Sequence, residues 1–228
     1  MRAANPSALT LDGTNTYVVA GWVVDPGPAD DAHLDAVLAA ANGSLEGIVL
    51  THAHPDHAEG APVLGSRAGV EVIAPSGGER VGPFEAVATP GHSPDHVSLL
   101  HGRVLFAGDV VLGEGSVFVG GDEGSMGAYL DSLRRLRELE LDAICPGHGP
   151  VVWEPHAKLD EYLAHRLERE RLVLEAVERA RRRATRCWTG RGPTLTSRRR
   201  RSCGSRPASR WTRTWRSSWR RGGWPRGR

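Results

Sequence analysis

The chain has 228 residues, 39% of them hydrophobic, and a formal net charge of +2, so it is long enough for one large domain or for one domain with a small appendage. No apolar run is long enough to cross a bilayer and no signal-like apolar segment follows Met1-Arg2, so the expectation is a cytoplasmic protein rather than a membrane one. Cys145, Cys187 and Cys203 are odd in number and lack paired spacing, which argues against a disulfide framework and against a sulfur-only metal site.

The small net charge hides an asymmetry. Residues 1–184 hold 15 Lys and Arg against all 27 Asp and Glu, a net of −12, whereas residues 185–228 hold 14 Arg, five of the seven Trp and no acid. Two kinds of sequence share one chain.

Thr16 to Ala20 and Trp22 to Val24 read as two strands joined at Gly21, and Asp25-Pro26-Gly27-Pro28 ends the second with strong turn chemistry. Asp30 or Asp31 is placed to cap a helix carrying Leu34, Val37 and Leu38 on one side, which Asn42-Gly43 stops. Ile48 to Leu50 predicts a buried strand. Ala61 to Ala68 predicts a short helix and Val70 to Ala74 a strand, followed by a loop over 75–83. Phe84 to Ala88 is a further strand, and Val97 to Leu100 with Val104 to Ala107 a hairpin turning at His101-Gly102. The glycine-rich stretch 113–127 reads as a loop over a site, Tyr129 to Leu139 as a helix, and Ala143 to Cys145 as a short strand. Lys158 to Arg183 reads as one long helix. Mixed strands and helices with early hairpins predict an α/β sandwich rather than a purely parallel sheet.

Between the strand at 48–50 and the helix at 61–68 lies Thr51-His52-Ala53-His54-Pro55-Asp56-His57. Neutral imidazole and carboxylate are the usual non-sulfur ligands of zinc and related divalent ions. In an extended segment alternate side chains share a face, so His52, His54 and Asp56 are expected to converge while His57 points elsewhere. His92, Asp109 and His148 each also follow a predicted strand, with Gly91, Gly108 and Gly147 beside them to allow a tight turn. Six or seven such ligands suit two metals. His96, four residues after His92, reads as support for a ligand from behind ahead of a substrate contact; His33, His101, His156 and His165 have no ligand spacing and read as surface residues. Cys145 reads as a small buried hydrophobe.

These motifs, Thr-His-Ala-His-Pro-Asp-His at 51–57, Thr-Pro-Gly-His at 89–92, Gly-Asp at 108–109 and Pro-Gly-His-Gly-Pro at 146–150, resemble the metallo-β-lactamase superfamily over about residues 5 to 183. The resemblance implies an αβ/βα four-layer sandwich with a dinuclear site at the strand ends, over residues 1–155, and a winged-helix-like helical appendage beginning at 156–184. It implies that His52, His54 and His92 hold one metal and Asp56, His57 and His148 the other, with Asp109 bridging and Asp25 supporting the site from behind. Two divalent ions, most simply zinc with manganese or iron as alternatives, then make a hydroxide available near neutral pH, and Asp56 and Asp109 are the carboxylates expected to act in catalysis.

Within the superfamily, Asn5-Pro6-Ser7, Gly13-Thr14-Asn15-Thr16-Tyr17, the run 88–96 and Leu112-Gly113-Glu114-Gly115 are similar to the beta-lactamase-like protein 2 family. That likeness implies an endonuclease acting on single-stranded RNA. The alternatives are a thioester hydrolase of the glyoxalase II kind, acting on a small molecule, and a nucleic-acid-binding protein with structural metals. The segment 185–228 fits either a basic, aromatic arm for nucleic-acid phosphates or out-of-frame translation of a GC-rich gene. The loss of every acid and of helical periodicity favours the second, and little packed structure is expected there.

Overall fold

The computed structural model describes residues 1–42, 44–121 and 124–189, with residues 1–178 forming one compact unit. The Arg/Trp-rich segment from residue 190 lies outside the described residues, and with it most of the expectation for 185–228.

Strands β1 (Tyr17–Val19) and β2 (Trp22–Val24) form an antiparallel hairpin, and β3 (Gly47–Val49) and β4 (Val72–Ile73) continue that sheet in parallel. A second sheet runs in sequence order through β5 (Arg80–Val81), β6 (Phe84–Ala88), β7 (Val97–His101), β8 (Val104–Gly108) and β9 (Ala143–Pro146); only its last pair is parallel. Strand β5 was not expected. It is two residues long and sits in the segment 75–83, whose Gly and Pro content reads as loop.

Period-two alternation in the strands assigns each side chain to a layer. Trp22, Val24 and Val49 of the first sheet meet Phe84, Ala86, Leu99 and Phe106 of the second, making the core between the sheets. The intervening positions Val23 and Ile48 face outward onto Leu34 and Val37 of α1 (Asp31–Ala40) and Ala61 and Leu64 of α3 (Ala61–Ala68). On the other side Leu105, Ala107 and Ile144 pack under Tyr129, Leu133 and Leu136 of α4 (Met126–Arg137) and Leu159 and Tyr162 of α5 (Pro155–Thr189). The layers are therefore helix, sheet, sheet, helix, as the motif resemblance implied.

Helix α1 begins where the sequence placed it: Asp30 is the N-cap and its Oδ1 accepts from the His33 backbone N–H at 2.8 Å. His33 itself corrects the surface reading. It is buried, with Nε2 2.9 Å from Thr16 Oγ1, because it shares the inward face of α1 with Leu34 and Val37. No helix among the described residues is long and apolar enough to cross a membrane.

Candidate metal centre

The centre is built where strands of both sheets end. The chain leaves β3 in an extended course through Thr51 to His54, and Pro55 then starts the one-turn helix α2 (Pro55–Ala58). His52 and His54 converge as alternate residues of an extended segment should. Asp56 does not join them: it lies in the helical turn and falls with His57 instead, which corrects the expectation from strand spacing. His92 follows β6, Asp109 follows β8 and His148 follows β9, all from the same edge of the second sheet.

Two clusters result. The ring nitrogens of His52, His54 and His92 form one; Asp56, His57, Asp109 and His148 form the other, with the candidate donor atoms of each cluster within 4.8 Å of one another. His54 Nδ1 lies 3.0 Å from both His52 Nε2 and His92 Nε2. His57 Nε2 and His148 Nε2 are 3.3 Å apart. Asp109 touches both clusters: Oδ1 is 3.4 Å from His57 Nε2, while Oδ2 is 3.3 Å from His148 Nε2 and 3.7 Å from His92 Nε2.

The outer nitrogens explain why the inner ones face each other. Asp25 Oδ2 accepts from Thr51 Oγ1 at 2.6 Å, so that hydroxyl is free to accept from His52 Nδ1 at 3.0 Å. Asp25 Oδ2 also holds His57 Nδ1 at 2.9 Å. His92 Nδ1 donates to the Phe118 carbonyl at 2.9 Å, and His148 Nδ1 to the Gly13 carbonyl at 3.3 Å. With Nδ1 hydrogen-bonded outward on these four rings, each ring in its neutral form presents an Nε2 lone pair inward, the tautomer that metal-ligating histidines carry.

Burial and charge fit the same reading. Burial alone would lower His57, but the adjacent Asp109 and Asp25 carboxylates outweigh it and hold its pKa well above the histidine range. Burial likewise opposes charge on His148, yet contacts with Asp109 and Asp56 push it up to about 9. Burial would raise Asp109, but His57 and then His148 hold it well below the carboxylate range. His52 is driven far down by burial, reinforced by His57 and His96. Without a cation the negative charge of Asp56 and Asp109 is met only by protons held on His57 and His148, and the hydrogen bonding is left incomplete. Asp109 Oδ1 makes the mismatch plain, since it is buried and has no hydrogen-bond partner. A donor set of imidazoles and carboxylates with an orphaned buried oxygen at its middle fits divalent cations.

His96 is not part of either cluster. Its Nε2 accepts the Asp109 backbone N–H at 3.0 Å, and its Nδ1 lies 2.8 Å from Thr89 Oγ1, so it fixes the backbone of the central carboxylate. Burial, partly opposed by Asp109, lowers it to about 3 and keeps it neutral for that task. The Asn15 side chain donates to the Pro146 and Gly149 carbonyls at 3.0 and 2.8 Å, latching the loop that carries His148. Glycine is required twice. Gly108 has φ of +52°, and a Cβ there would stand 2.7 Å from His96 Nε2; a Cβ on Gly147 would meet Asp109 Oδ1 and stand 2.6 Å from His57 Cε1.

The clusters open into a cavity of about 380 Å³ lined also by Ala8, Leu9, Leu11, Leu112, Glu114, Val117 and Phe118. None of the sequence signals identified Leu9 or Phe118 as site residues; both are large apolar side chains left exposed.

A family model described as the metallo-beta-lactamase superfamily matches residues 9–83 and 75–148, which span the first three motifs and reach His148 of the fourth. The chain belongs to the metallo-β-lactamase superfamily. Members of this superfamily are generally metal-dependent hydrolases, the class to which this membership assigns the chain. A beta-lactamase-like protein 2 homolog from Caenorhabditis elegans is 33% identical over 210 residues, covering 76% of this chain and 68% of that protein. Among solved structures, TTHA1623 in a di-iron-bound form aligns with a TM-score of 0.57 at 24% identity, over 65% of this chain and 92% of its own. A beta-lactamase domain protein from Burkholderia ambifaria aligns with a TM-score of 0.60 at 20% identity, over 74% of this chain and 72% of its own. At those identities the two structures speak to the fold alone.

Proposed function

We propose that the chain is a dinuclear metal-dependent hydrolase in which His52, His54 and His92 would hold one ion and Asp56, His57 and His148 a second, with Asp109 placed to serve both. The observation that carries this reading is the orphaned Asp109 Oδ1 at the junction of two convergent donor clusters. Zinc suits the nitrogen and oxygen donors, and manganese or iron could take the same ligands. Divalent ions bound there would supply Lewis acidity and a hydroxide nucleophile near neutral pH.

The chain's own residues do the rest. Asp25 and the Phe118 and Gly13 carbonyls fix the ring orientations, so no reorganisation is needed when substrate arrives. Asp56 lines the cavity and is more exposed than Asp109, so its carboxylate is placed to take a proton from the attacking water and pass it outward. The apolar wall of Leu9, Leu11, Val117 and Phe118 excludes water around the reacting group.

Two substrate classes compete. An RNA phosphodiester follows from the likeness to the beta-lactamase-like protein 2 family. Polyanion binding needs cations, however, and no Lys or Arg stands among the described lining residues, where Glu114 adds a negative charge. That lining favours the second class, a small neutral ester or thioester. A metal-loaded assay comparing single-stranded RNA, a simple phosphodiester and a thioester tests both. Hydrolysis lost in His54→Ala is expected; turnover that survives His54→Ala would sink the metal reading.

A further inference from the structure

We propose that Leu9 and Phe118 form a specificity-determining clamp that selects substrates with an extended apolar acyl group. The proposal rests on the hydrolase reading above and names what its cavity accepts. Leu9 and Phe118 are 67% and 63% exposed and come from segments more than a hundred residues apart, yet both line the cavity over the metal clusters. Large apolar side chains left in water at one opening mark a binding surface rather than scattered surface residues.

Neither residue is placed there by a slack loop. Ser7 Oγ accepts the backbone N–H groups of Leu9 and Thr10 at 3.1 and 3.0 Å, and the Ser7 N–H donates to the Leu11 carbonyl at 3.1 Å, so Leu9 projects from a closed turn. The segment carrying Phe118 is tied at three points. The Gly113 N–H donates to the His148 carbonyl at 2.9 Å, the Arg166 guanidinium donates to the Val117 carbonyl, and the Phe118 carbonyl accepts from His92 Nδ1. Phe118 thus orients a candidate metal ligand through its backbone while presenting its ring to the cavity. Pre-ordered apolar side chains bind without a large ordering penalty.

Size and charge narrow the occupant. At about 30 Å³ per water-sized group, a cavity of about 380 Å³ accommodates on the order of a dozen non-hydrogen atoms. Leu9, Leu11, Leu112, Val117 and Phe118 offer contact to methylenes, and Glu114 disfavours a second carboxylate or a phosphate. The fitting class is a neutral ester or thioester of a six- to eight-carbon acyl chain. Water adds to the acyl carbon, the C–O or C–S bond breaks, and the products are the carboxylate, the alcohol or thiol, and one proton.

The test uses the full chain loaded with zinc, with acetyl, butyryl, hexanoyl and octanoyl thioesters of one neutral thiol. In the unaltered protein kcat/KM should rise about two- to fourfold per methylene up to hexanoyl. In Phe118→Ala and Leu9→Ala the octanoyl-to-acetyl ratio of kcat/KM should fall about tenfold, with metal content retained because the Phe118 carbonyl remains. Leu172→Ala, which removes an exposed leucine from α5 outside the cavity, should leave the ratio as it was. Calorimetric binding of octanoate against acetate should lose its preference in the same two variants. Thioester hydrolysis with a ratio that neither variant changes overturns the clamp and leaves the hydrolase reading standing. RNA cleavage with no acyl turnover also overturns it. A fully metal-loaded protein that hydrolyses none of these thioesters overturns the clamp, and the single-stranded RNA and phosphodiester arms of the assay above then decide the hydrolase reading separately.

Discussion

Asp25 sits at a φ of +48°, a backbone conformation that a non-glycine residue keeps only when its surroundings hold it there, and three hydrogen bonds do so. Those same bonds set the tautomers of His52 and His57. Asp25→Asn should therefore lower metal affinity about 10- to 100-fold with the fold intact, measured by competition with a chelator; an unchanged affinity would remove Asp25 from the support of the centre. Protonation gives a second prediction at this scale. Because the folded protein without metal keeps His57 and His148 protonated, metal uptake must release protons, and affinity should rise with pH toward about 9, the pKa of His148. The sign for stability is opposite. Charge on His57 and His148 stabilises the metal-free fold below the ordinary histidine value and is lost as pH rises through about 9, so the metal-free melting temperature should drop there. Asp109, held low, keeps its contribution until strong acid.

Most elements were legible in the sequence because their signals are clean: β6 to β8 are short, largely apolar runs set off by Pro and Gly, and α4 shows Leu130, Leu133 and Leu136 on one side. What was not legible depended on neighbours. Val81 reads as loop, yet it packs in the core between the sheets because β6 lies beside it. His33 was read from residue type, although its i,i+4 relation to Val37 already placed it on the buried face of α1. Asp56 was read with strand spacing across a proline that begins a helix. The seven candidate ligands stand out as motifs and the structure gathers them into two clusters, whereas Leu9 and Phe118 carry no motif and acquire meaning only from the cavity they share. At this scale the packing of α5 is the sharpest test. Leu159 is fully buried against the second sheet, so Leu159→Ala should cost about 2–5 kcal/mol, while Leu174→Ala, at 57% exposure, should change stability by less than about 0.5 kcal/mol in denaturant unfolding.

Across the whole molecule, the centre joins the two sheets, since His52, His54, Asp56 and His57 follow a strand of the first and His92, Asp109 and His148 follow strands of the second. Ions bound at that junction should stabilise the native state, by about 2.7 kcal/mol when free metal is a hundredfold above its dissociation constant. A chelator should accordingly lower the melting temperature. None of the three hydrophobic clusters draws on a described residue beyond Leu163, so a chain ending at residue 184 should melt within about 2 °C of the full one. If RNA binding depends on the Arg-rich segment it should vanish in that shortened chain and weaken steeply with salt.

Metal content per chain, measured after equilibration with zinc and removal of excess, bears most directly on the dinuclear centre. Two ions in the unaltered protein, falling to one or none in Asp109→Ala, is the expected result. A protein that retains fewer than two, or a variant that keeps both, would contradict the placement of Asp109 between two metal ions.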